Sequence, residues 1–301
     1  MESDVHMTFM ELIKKERVFA PCIWDCMSAK ASEMSGYKAA VLSSGCMSFS
    51  LRGMPDMGVV TLDETIAMTE RITNVSPLHL IVDAEDGYGE SPINSYWTAK
   101  RLAKAGASAI MIDDTTGIRG WQRIMHGDMS SYEVTKRSEW LGKIQAALDA
   151  LEGTDCILIA RTEAMYKYGI EEAIERCVEA EKLGVPMTLI IGLRNINHCI
   201  QVNEHVKGLK MYPDVFAKNG IPDVELDDVE KLNFRLITMH CLETAAMKGM
   251  VEYGTMNFRN QNTVYSTSQG MGDLIPKGMD PFGKMKWIDL EEKYLEMFKE
   301  E

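Results

Sequence analysis

Two short stretches of this sequence concentrate carboxylates. Asp83-Ala84-Glu85-Asp86-Gly87-Tyr88-Gly89 holds three acidic side chains, and Asp113-Asp114 adds a pair. Each stretch closes an apolar run, which is where a strand gives way to a loop. Carboxylates gathered at neighbouring strand ends repel one another unless a cation or a proton lies between them. A hard divalent ion relieves that repulsion, and Mg²⁺ takes one or two carboxylates while keeping several waters. Asp83, Glu85 and Asp113 are therefore the candidate metal ligands; helix capping or ordinary ion pairing is the competing use for Asp83 and Asp113. Arg161 ends the run Cys156-Ile157-Leu158-Ile159-Ala160-Arg161. Its fork suits a substrate carboxylate or phosphate, and an ion pair with Glu163 or a metal-side carboxylate is the alternative. Ser43, Ser44 and Gly45, followed by Cys46, offer hydroxyls and backbone N–H groups to an anion, or form a plain turn. The last apolar run leads into His240.

Eight apolar runs, near 18–24, 38–43, 78–83, 108–113, 155–161, 186–192, 208–212 and 234–239, alternate with amphipathic stretches. Helices are expected at 61–73, 91–105, 133–152, 170–183 and 242–252. The first opens with Thr61 and carries Glu64 three residues on, the spacing of a capping box. Strands apolar throughout and separated by helices indicate a parallel sheet covered on both faces. About eight such units match an α/β (β/α)₈ TIM barrel, with active-site residues at the strand C-terminal ends; a doubly wound open sheet is the alternative. Residues 1–254 are read as the barrel domain and 255–301 as a connector with a C-terminal helix. The stretch 255–283 is rich in Asn, Gln, Thr, Ser, Gly and Pro, and 287–299 returns to helical spacing, with Trp287, Leu290, Tyr294 and Phe298 on one face.

Of 301 residues, 45 are Asp or Glu and 32 Lys or Arg, a formal net charge of -13. Such a surface repels phosphate backbones and anionic lipid, so neither nucleic acid nor a membrane is an expected partner. No apolar run approaches the roughly 20 residues of a membrane helix, and residues 1–4 lack a secretory start. The 7 Cys are irregularly spaced, which fits reduced thiols and a cytoplasmic location. The 23 Met read as core filling. The sequence has no GxxxxGK[ST] loop, GxGxxG fingerprint, HExxH or zinc-ribbon Cys spacing. None of the expected strands ends in Lys, which argues against Schiff-base chemistry.

The motifs Ser43-Ser44-Gly45, Arg52-Gly53-Met54-Pro55-Asp56-Met57-Gly58, Asp83-Ala84-Glu85-Asp86-Gly87-Tyr88-Gly89, Ile112-Asp113-Asp114 and Ala160-Arg161-Thr162-Glu163-Ala164 occur in this order. Together they resemble the isocitrate lyase and phosphoenolpyruvate mutase superfamily over about residues 19–254. The resemblance implies a (β/α)₈ barrel whose last helix exchanges between subunits, giving a homodimer or a dimer of dimers. It implies Mg²⁺, with Mn²⁺ as a substitute, held directly by Asp83 and helped by Glu85 and Asp113. It also implies a small anionic 2-oxo or 2-hydroxy acid as substrate. Ser43, Ser44, Gly45 and the backbone at Cys46 would bind its carboxylate, Arg161 would bind it from the other side, and Asp56 would lie near the reacting centre. Members of the group cleave or form C–C bonds beside a carboxylate, or rearrange or hydrolyse a P–C bond, through a shared enolate.

Departures from the group's pattern bear on the reaction. Its lyases carry Lys-Lys/Arg-Cys-Gly-His on the loop after the fourth strand; here residues 115–127 contain no Cys. The Lys-Thr-Asn-Ser segment of the phosphonate mutases is missing as well. Where relatives end the sixth strand in Glu or His, this chain has Ile190, Ile191 and Gly192. Arg119, Arg123 and His126 are the remaining proton-donor candidates, led by His126 for its near-neutral pKa; a merely solvated His126 competes. Relatives read Asp-x-Asp and then Glu, whereas this chain reads Asp83-x-Glu85 and then Asp113, so a methylene moves from one side of the ion to the other. The expectation is a Mg²⁺-dependent carbon–carbon lyase acting on a small 2-hydroxy or 2-oxo (di)carboxylate through a metal-stabilised enolate. The alternatives are a phosphonopyruvate or phosphoenolpyruvate mutase, an oxaloacetate-type hydrolase, or a barrel that binds metal and ligand without turnover.

Overall fold

The computed structural model describes residues 7–116, 133–215, 217–218, 221–265 and 281–298. Eight parallel strands run in chain order around a closed barrel: β1 (Val18–Ile23), β2 (Ala39–Leu42), β3 (His79–Asp83), β4 (Ala109–Ile112), β5 (Ile157–Thr162), β6 (Met187–Ile190), β7 (Leu209–Tyr212) and β8 (Phe234–Met239). Closure is made by β8 pairing back onto β1, from Val18↔Leu236 to Pro21↔Met239, which excludes the open sheet. The helices of this unit are α1 (Phe9–Lys15), α2 (Cys26–Met34), α3 (Ser44–Arg52), α4 (Leu62–Thr73), α5 (Pro92–Lys104), α6 (Arg137–Leu151), α7 (Met165–Lys182), α8 (Ile196–His205) and α9 (Leu226–Lys231). All eight expected strands form. The capping box at α4 is present, with the Thr61 side chain taking the Glu64 N–H and the Glu64 carboxylate returning to the Thr61 backbone. A two-residue antiparallel ribbon, Ala217–Lys218 with Ile221–Pro222, interrupts the β7–α9 connection.

Successive strand residues face opposite sides, so every second one enters the barrel. Ala20 and Cys22, Ala39 and Val41, Ile81, Ala109 and Met111, Ile159, Met187 and Leu189, Met211 and Leu236 make that inner core. Burying each large aliphatic chain contributes about 1.5–3 kcal/mol. Phe9, Leu12 and Ile13 of α1 join the same cluster and plug the N-terminal end of the barrel. Arg235 fixes the plug by donating from Nε to the Ile13 carbonyl at 3.1 Å and from Nη2 to the Lys14 carbonyl at 3.0 Å. The strand C-terminal ends form the opposite mouth of the barrel.

Residues 242–301 form a second compact unit. It contains α10 (Leu242–Asn260) and α11 (Lys284–Glu296), and neither helix buries a side chain. Helix continues through 255–260, where composition reads as connector, because the Gly, Pro and Ser of that stretch all fall beyond Asn260. Among the described residues no helix is long and apolar enough to cross a membrane.

Candidate active site

Extending the inner core by one two-residue step gives the layer of side chains at the mouth. Those positions are Trp24, Ser43, Asp83, Asp113, Arg161, Ile191, Pro213 and Thr238, one per strand, and Trp24 and Ile191 pack against the core beneath. Polar residues fill most of the layer, at the face where barrel active sites form.

Ser43 is not part of a plain turn. It is the N-cap of α3, its Oγ taking the Cys46 N–H at 3.3 Å, so the reading of Ser43, Ser44 and Gly45 as a polar turn is corrected to a helix start. By helix geometry the N–H groups of Ser44 and Gly45 have no intrahelical acceptor, and the positive end of the helix dipole sits on them. The Ser44 hydroxyl donates to Asp83 Oδ2 at 3.2 Å. Asp56 lies against the same helix start: a Cβ added to Gly45 would stand 3.3 Å from Asp56 Cβ and 3.4 Å from Oδ2. Ser48 Oγ holds the intervening loop to α3 through the Pro55 carbonyl at 2.9 Å.

Asp83, Glu85 and Asp113 are all buried. Asp83 Oδ1 accepts the Glu85 N–H at 3.1 Å, which folds the loop back, and Glu85 adopts a left-handed φ of 53°. The Glu85 carbonyl takes the Asp113 N–H at 2.8 Å, coupling the ends of β3 and β4. Asp113 Oδ1 accepts from Thr115 N at 3.0 Å and Thr115 Oγ1 at 2.6 Å. The loop after β3 is anchored from outside by the buried Lys143, whose Nζ donates to the Asp86 carbonyl at 2.9 Å. Arg161 Nη1 stands 3.6 Å from Asp83 Oδ2, while Nη2 pairs with the buried Glu163. Arg161 thus faces two carboxylates at once, and Ser44, Asp83 and Arg161 form one contact chain from β2 to β5.

Asp113 and Asp114 do different work because neighbours on a strand face opposite ways. Asp114 is buried behind the mouth layer, taking Thr162 Oγ1 at 2.5 Å, Glu163 N at 2.9 Å and Arg176 Nη1 at 3.1 Å. Burial pushes its carboxyl up to about 7 against the pull of these donors. This brace went unread in the sequence, as did a contact between His240 and Asp214, the latter two residues past β7. Arg119, Arg123 and His126, the candidate donors on the loop after β4, lie outside the described residues.

The residues fit a hard divalent ion by their chemistry: Asp83, Glu85 and Asp113 supply only carboxylate oxygens, buried, on two strand ends tied to each other by backbone hydrogen bonds. Among the described residues no three His, Cys, Asp or Glu side chains converge as a ready-made cage.

A closed barrel with acidic and basic side chains gathered at its C-terminal mouth defines the architecture of a barrel enzyme. A family model described as phosphoenolpyruvate phosphomutase matches residues 9–255. The 2-methylisocitrate lyase of Salmonella typhimurium is 35% identical over 159 residues, 53% of this chain and 52% of that protein, so the matched stretch spans about half of that relative. The petal death protein of Dianthus caryophyllus is 32% identical over 286 residues, covering 92% of this chain and 85% of that protein. A solved structure of phosphonopyruvate hydrolase in complex with oxalate and Mg²⁺ has the same fold, with a TM-score of 0.76 at 22% identity over 93% of this chain and 94% of that one. The chain belongs to the phosphoenolpyruvate phosphomutase family.

Proposed function

We propose that this enzyme is a Mg²⁺-dependent carbon–carbon lyase that cleaves a small 2-hydroxy or 2-oxo dicarboxylate. The observation that carries the reading is the chain Ser44–Asp83–Arg161, which sets a carboxylate between a helix N-terminus and a guanidinium at the barrel mouth. The similarity to a 2-methylisocitrate lyase supports C–C cleavage, and the neighbour that holds oxalate with Mg²⁺ supports the metal and the ligand class.

Asp83, with Glu85 and Asp113, would hold the ion, which when bound supplies a Lewis acid for the 2-oxygen of the substrate. Arg161 would bind the carboxylate end through its fork, shifting some of its charge from Glu163 to the ligand. The Ser44 and Gly45 N–H groups at the α3 dipole would take the facing oxygens of the same carboxylate. Those two anchors fix the acid. With a 2-hydroxy substrate, the hydroxyl would give up its proton and become the C=O of a 2-oxo acid. The electron pair of the broken C–C bond would go to the departing carbon, spread into the carboxylate beside it as an enolate and take up a proton there. Asp56, against Gly45, is placed to face the departing part of the substrate.

We also propose a cytoplasmic location and a homo-oligomer, a dimer or dimer of dimers, made by exchange of α11. Cys156, Cys177 and Cys199 are unpaired thiols whose burial pushes each up to about 12, which fits a reducing compartment. Trp287, Tyr294, Leu295 and Phe298 are all exposed in one protomer, which favours cover by a second copy.

The test is a ¹H and ³¹P NMR screen of the full chain with Mg²⁺ against 2-methylisocitrate, 2,3-dimethylmalate, oxaloacetate and phosphonopyruvate. Cleavage of one of the first two into a 2-oxo acid and a second product is expected. Conversion of phosphonopyruvate alone, or hydrolysis of oxaloacetate to oxalate and acetate, overturns the lyase reading in favour of a mutase or hydrolase, and oxalate binding with no conversion overturns it in favour of a binding barrel.

A further inference from the structure

Backbone strain gathers in the loop that closes β3. Four of the five residues from Glu85 to Gly89 have a left-handed φ: Glu85 at 53°, Gly87 at 91°, Tyr88 at 58° and Gly89 at 153°. Such a φ is easy for Gly, but at Glu85 and Tyr88 the Cβ crowds the backbone, and the conformation persists only where the surroundings fix it. Glu85 is also one of the three carboxylates assigned to the ion, so the strain falls on a proposed ligand.

Three helices pin this loop, each with one side chain. Thr98 of α5 donates to the Gly87 carbonyl at 3.0 Å, and Thr65 of α4 shares a hydrogen bond with the Tyr88 hydroxyl at 2.7 Å. Lys143 of α6 donates from Nζ to the Asp86 carbonyl at 2.9 Å and to Asp86 Oδ2 at 3.1 Å. The threonines hold the downstream half of the loop. Of the three, Lys143 alone acts on the residue directly after Glu85. Its side chain is only 4% exposed, and a cation buried that deeply is costly unless it is partnered. Both of these partners belong to Asp86. The other carboxylate oxygen, Asp86 Oδ1, takes the Tyr88 N–H at 3.0 Å. Asp86 therefore links Lys143 to both left-handed residues, Glu85 before it and Tyr88 after it.

We propose that Lys143 is a positioning residue for the metal site: through Asp86 it holds Glu85 in its left-handed conformation, and so raises the affinity for a divalent ion that it does not touch. This rests on the metal reading above. The two ways in which Lys143 could act have opposite signs. Lysine and ion are both positive, so through space Lys143 opposes binding. Removing its charge tightens binding if the field is all that matters. Removing its hydrogen bonds loosens binding if they hold the loop, because the ion must then order a strained segment that the protein no longer fixes. Lys143 also ties the loop after β3 to α6, the helix that follows β4, so the segments carrying Glu85 and Asp113 share one outer support.

The test titrates Mn²⁺ into the metal-free full chain without substrate and follows the free ion by its electron paramagnetic resonance signal. Urea unfolding and amide hydrogen exchange over residues 84–89 are measured on the same preparations. Asp83→Asn, which removes a proposed ligand, should abolish the binding and so marks the site. Lys143→Met is expected to weaken Mn²⁺ binding about 10- to 100-fold, the range for groups that orient ligating carboxylates. The same variant should exchange faster over residues 84–89 in the metal-free state. Lys143→Gln, which keeps a shorter donor without the charge, takes its place if the Met variant does not fold, and weaker binding with faster exchange is expected there as well. Mn²⁺ affinity that is unchanged or higher in a folded Lys143 variant overturns the assignment and leaves the metal reading standing. Weaker binding with loop exchange at the wild-type pace overturns it too, because the loop is then not what Lys143 holds. A wild-type chain that binds no Mn²⁺, or that binds it equally well as Asp83→Asn, removes the metal reading and the assignment with it.

Discussion

Gly45→Ala tests whether the start of α3 and Asp56 share one ligand, because it should leave stability nearly unchanged while weakening binding. Gly45 is the second residue of α3, where Ala is the better helix former by up to about 1 kcal/mol. The new methyl would stand 3.3 Å from Asp56 Cβ and 3.4 Å from Cγ and Oδ2, inside the roughly 3.5–4.0 Å preferred by such contacts. Asp56 must therefore yield by a few tenths of an ångström, and the Ser48–Pro55 hydrogen bond limits how far its loop moves. The two small terms nearly cancel, so unfolding free energy should change by no more than about 1 kcal/mol. A ligand carboxylate on the Ser44 and Gly45 N–H groups would meet the same methyl. Oxalate affinity in the presence of Mg²⁺ should fall about tenfold, which is about 1.4 kcal/mol. Urea unfolding and isothermal titration on the same preparations read both quantities. Oxalate binding at wild-type strength in a folded Gly45→Ala chain would refute the placement of the ligand at the helix start.

Other substitutions probe separate parts of the frame. Arg161→Lys keeps the charge and loses the fork, and oxalate affinity by titration should drop about 10- to 100-fold, as for a charge-assisted pair. Gly87→Ala puts a methyl 2.1 Å from Ser95 Oγ at a residue with φ of 91°, and urea unfolding should show a loss of about 2–4 kcal/mol. Thr162→Val removes the hydroxyl that braces Asp114 and leaves the buried carboxyl short of a donor; a loss of about 1–3 kcal/mol is expected by the same measurement. Lys210 is buried with only the Val206 and Gly208 carbonyls, at 3.0 Å each, as its hydrogen-bond acceptors. Burial lowers its pKa to about 8. A lowered lysine favours the neutral folded form, so wild-type stability should rise relative to Lys210→Met as pH goes from 8 to about 10, by up to roughly 3 kcal/mol. A constant difference between the two proteins across that range would dispose of the argument.

The strands were legible because each is a run of apolar, often β-branched residues buried on both faces, a pattern that survives without any alignment. Helices with strong amphipathic spacing, such as α4 and α5, were legible for the same kind of reason. α2 and α3 were not: they are nine residues each, rich in Ser, and their starts rest on the single caps Asp25 and Ser43. At the site, Asp83, Asp113 and Arg161 could be picked out because a charge that ends an apolar run is costly unless it has a purpose. The braces could not. Asp114 and Arg176 are 62 positions apart, Asp86 and Lys143 are 57 apart, and Asp214 and His240 are 26 apart, and no local spacing rule joins them. Barrel closure brings them together, so they become readable only once the strand order is known.

The alternation of strand residues explains why acidic and basic groups come in neighbouring pairs here. In Asp113-Asp114 and in Arg161-Thr162 the first residue belongs to the mouth layer and the second turns outward. The outward partners are bonded to each other, Thr162 to Asp114, and Arg176 from α7 closes the same knot by also reaching the Thr135 carbonyl at 2.9 Å. A ligand that binds Arg161 and Asp113 therefore pulls on two strands already cross-linked one residue away, and the side chains meet it with little freedom left to lose. Preorganisation of this kind raises affinity by reducing what binding must order, not by adding contacts. It also places the sequence constraint on residues that never touch the substrate. Replacing Asp114 or Thr162 should accordingly weaken oxalate binding while leaving every group that contacts it in place, which a purely local view of the site does not allow.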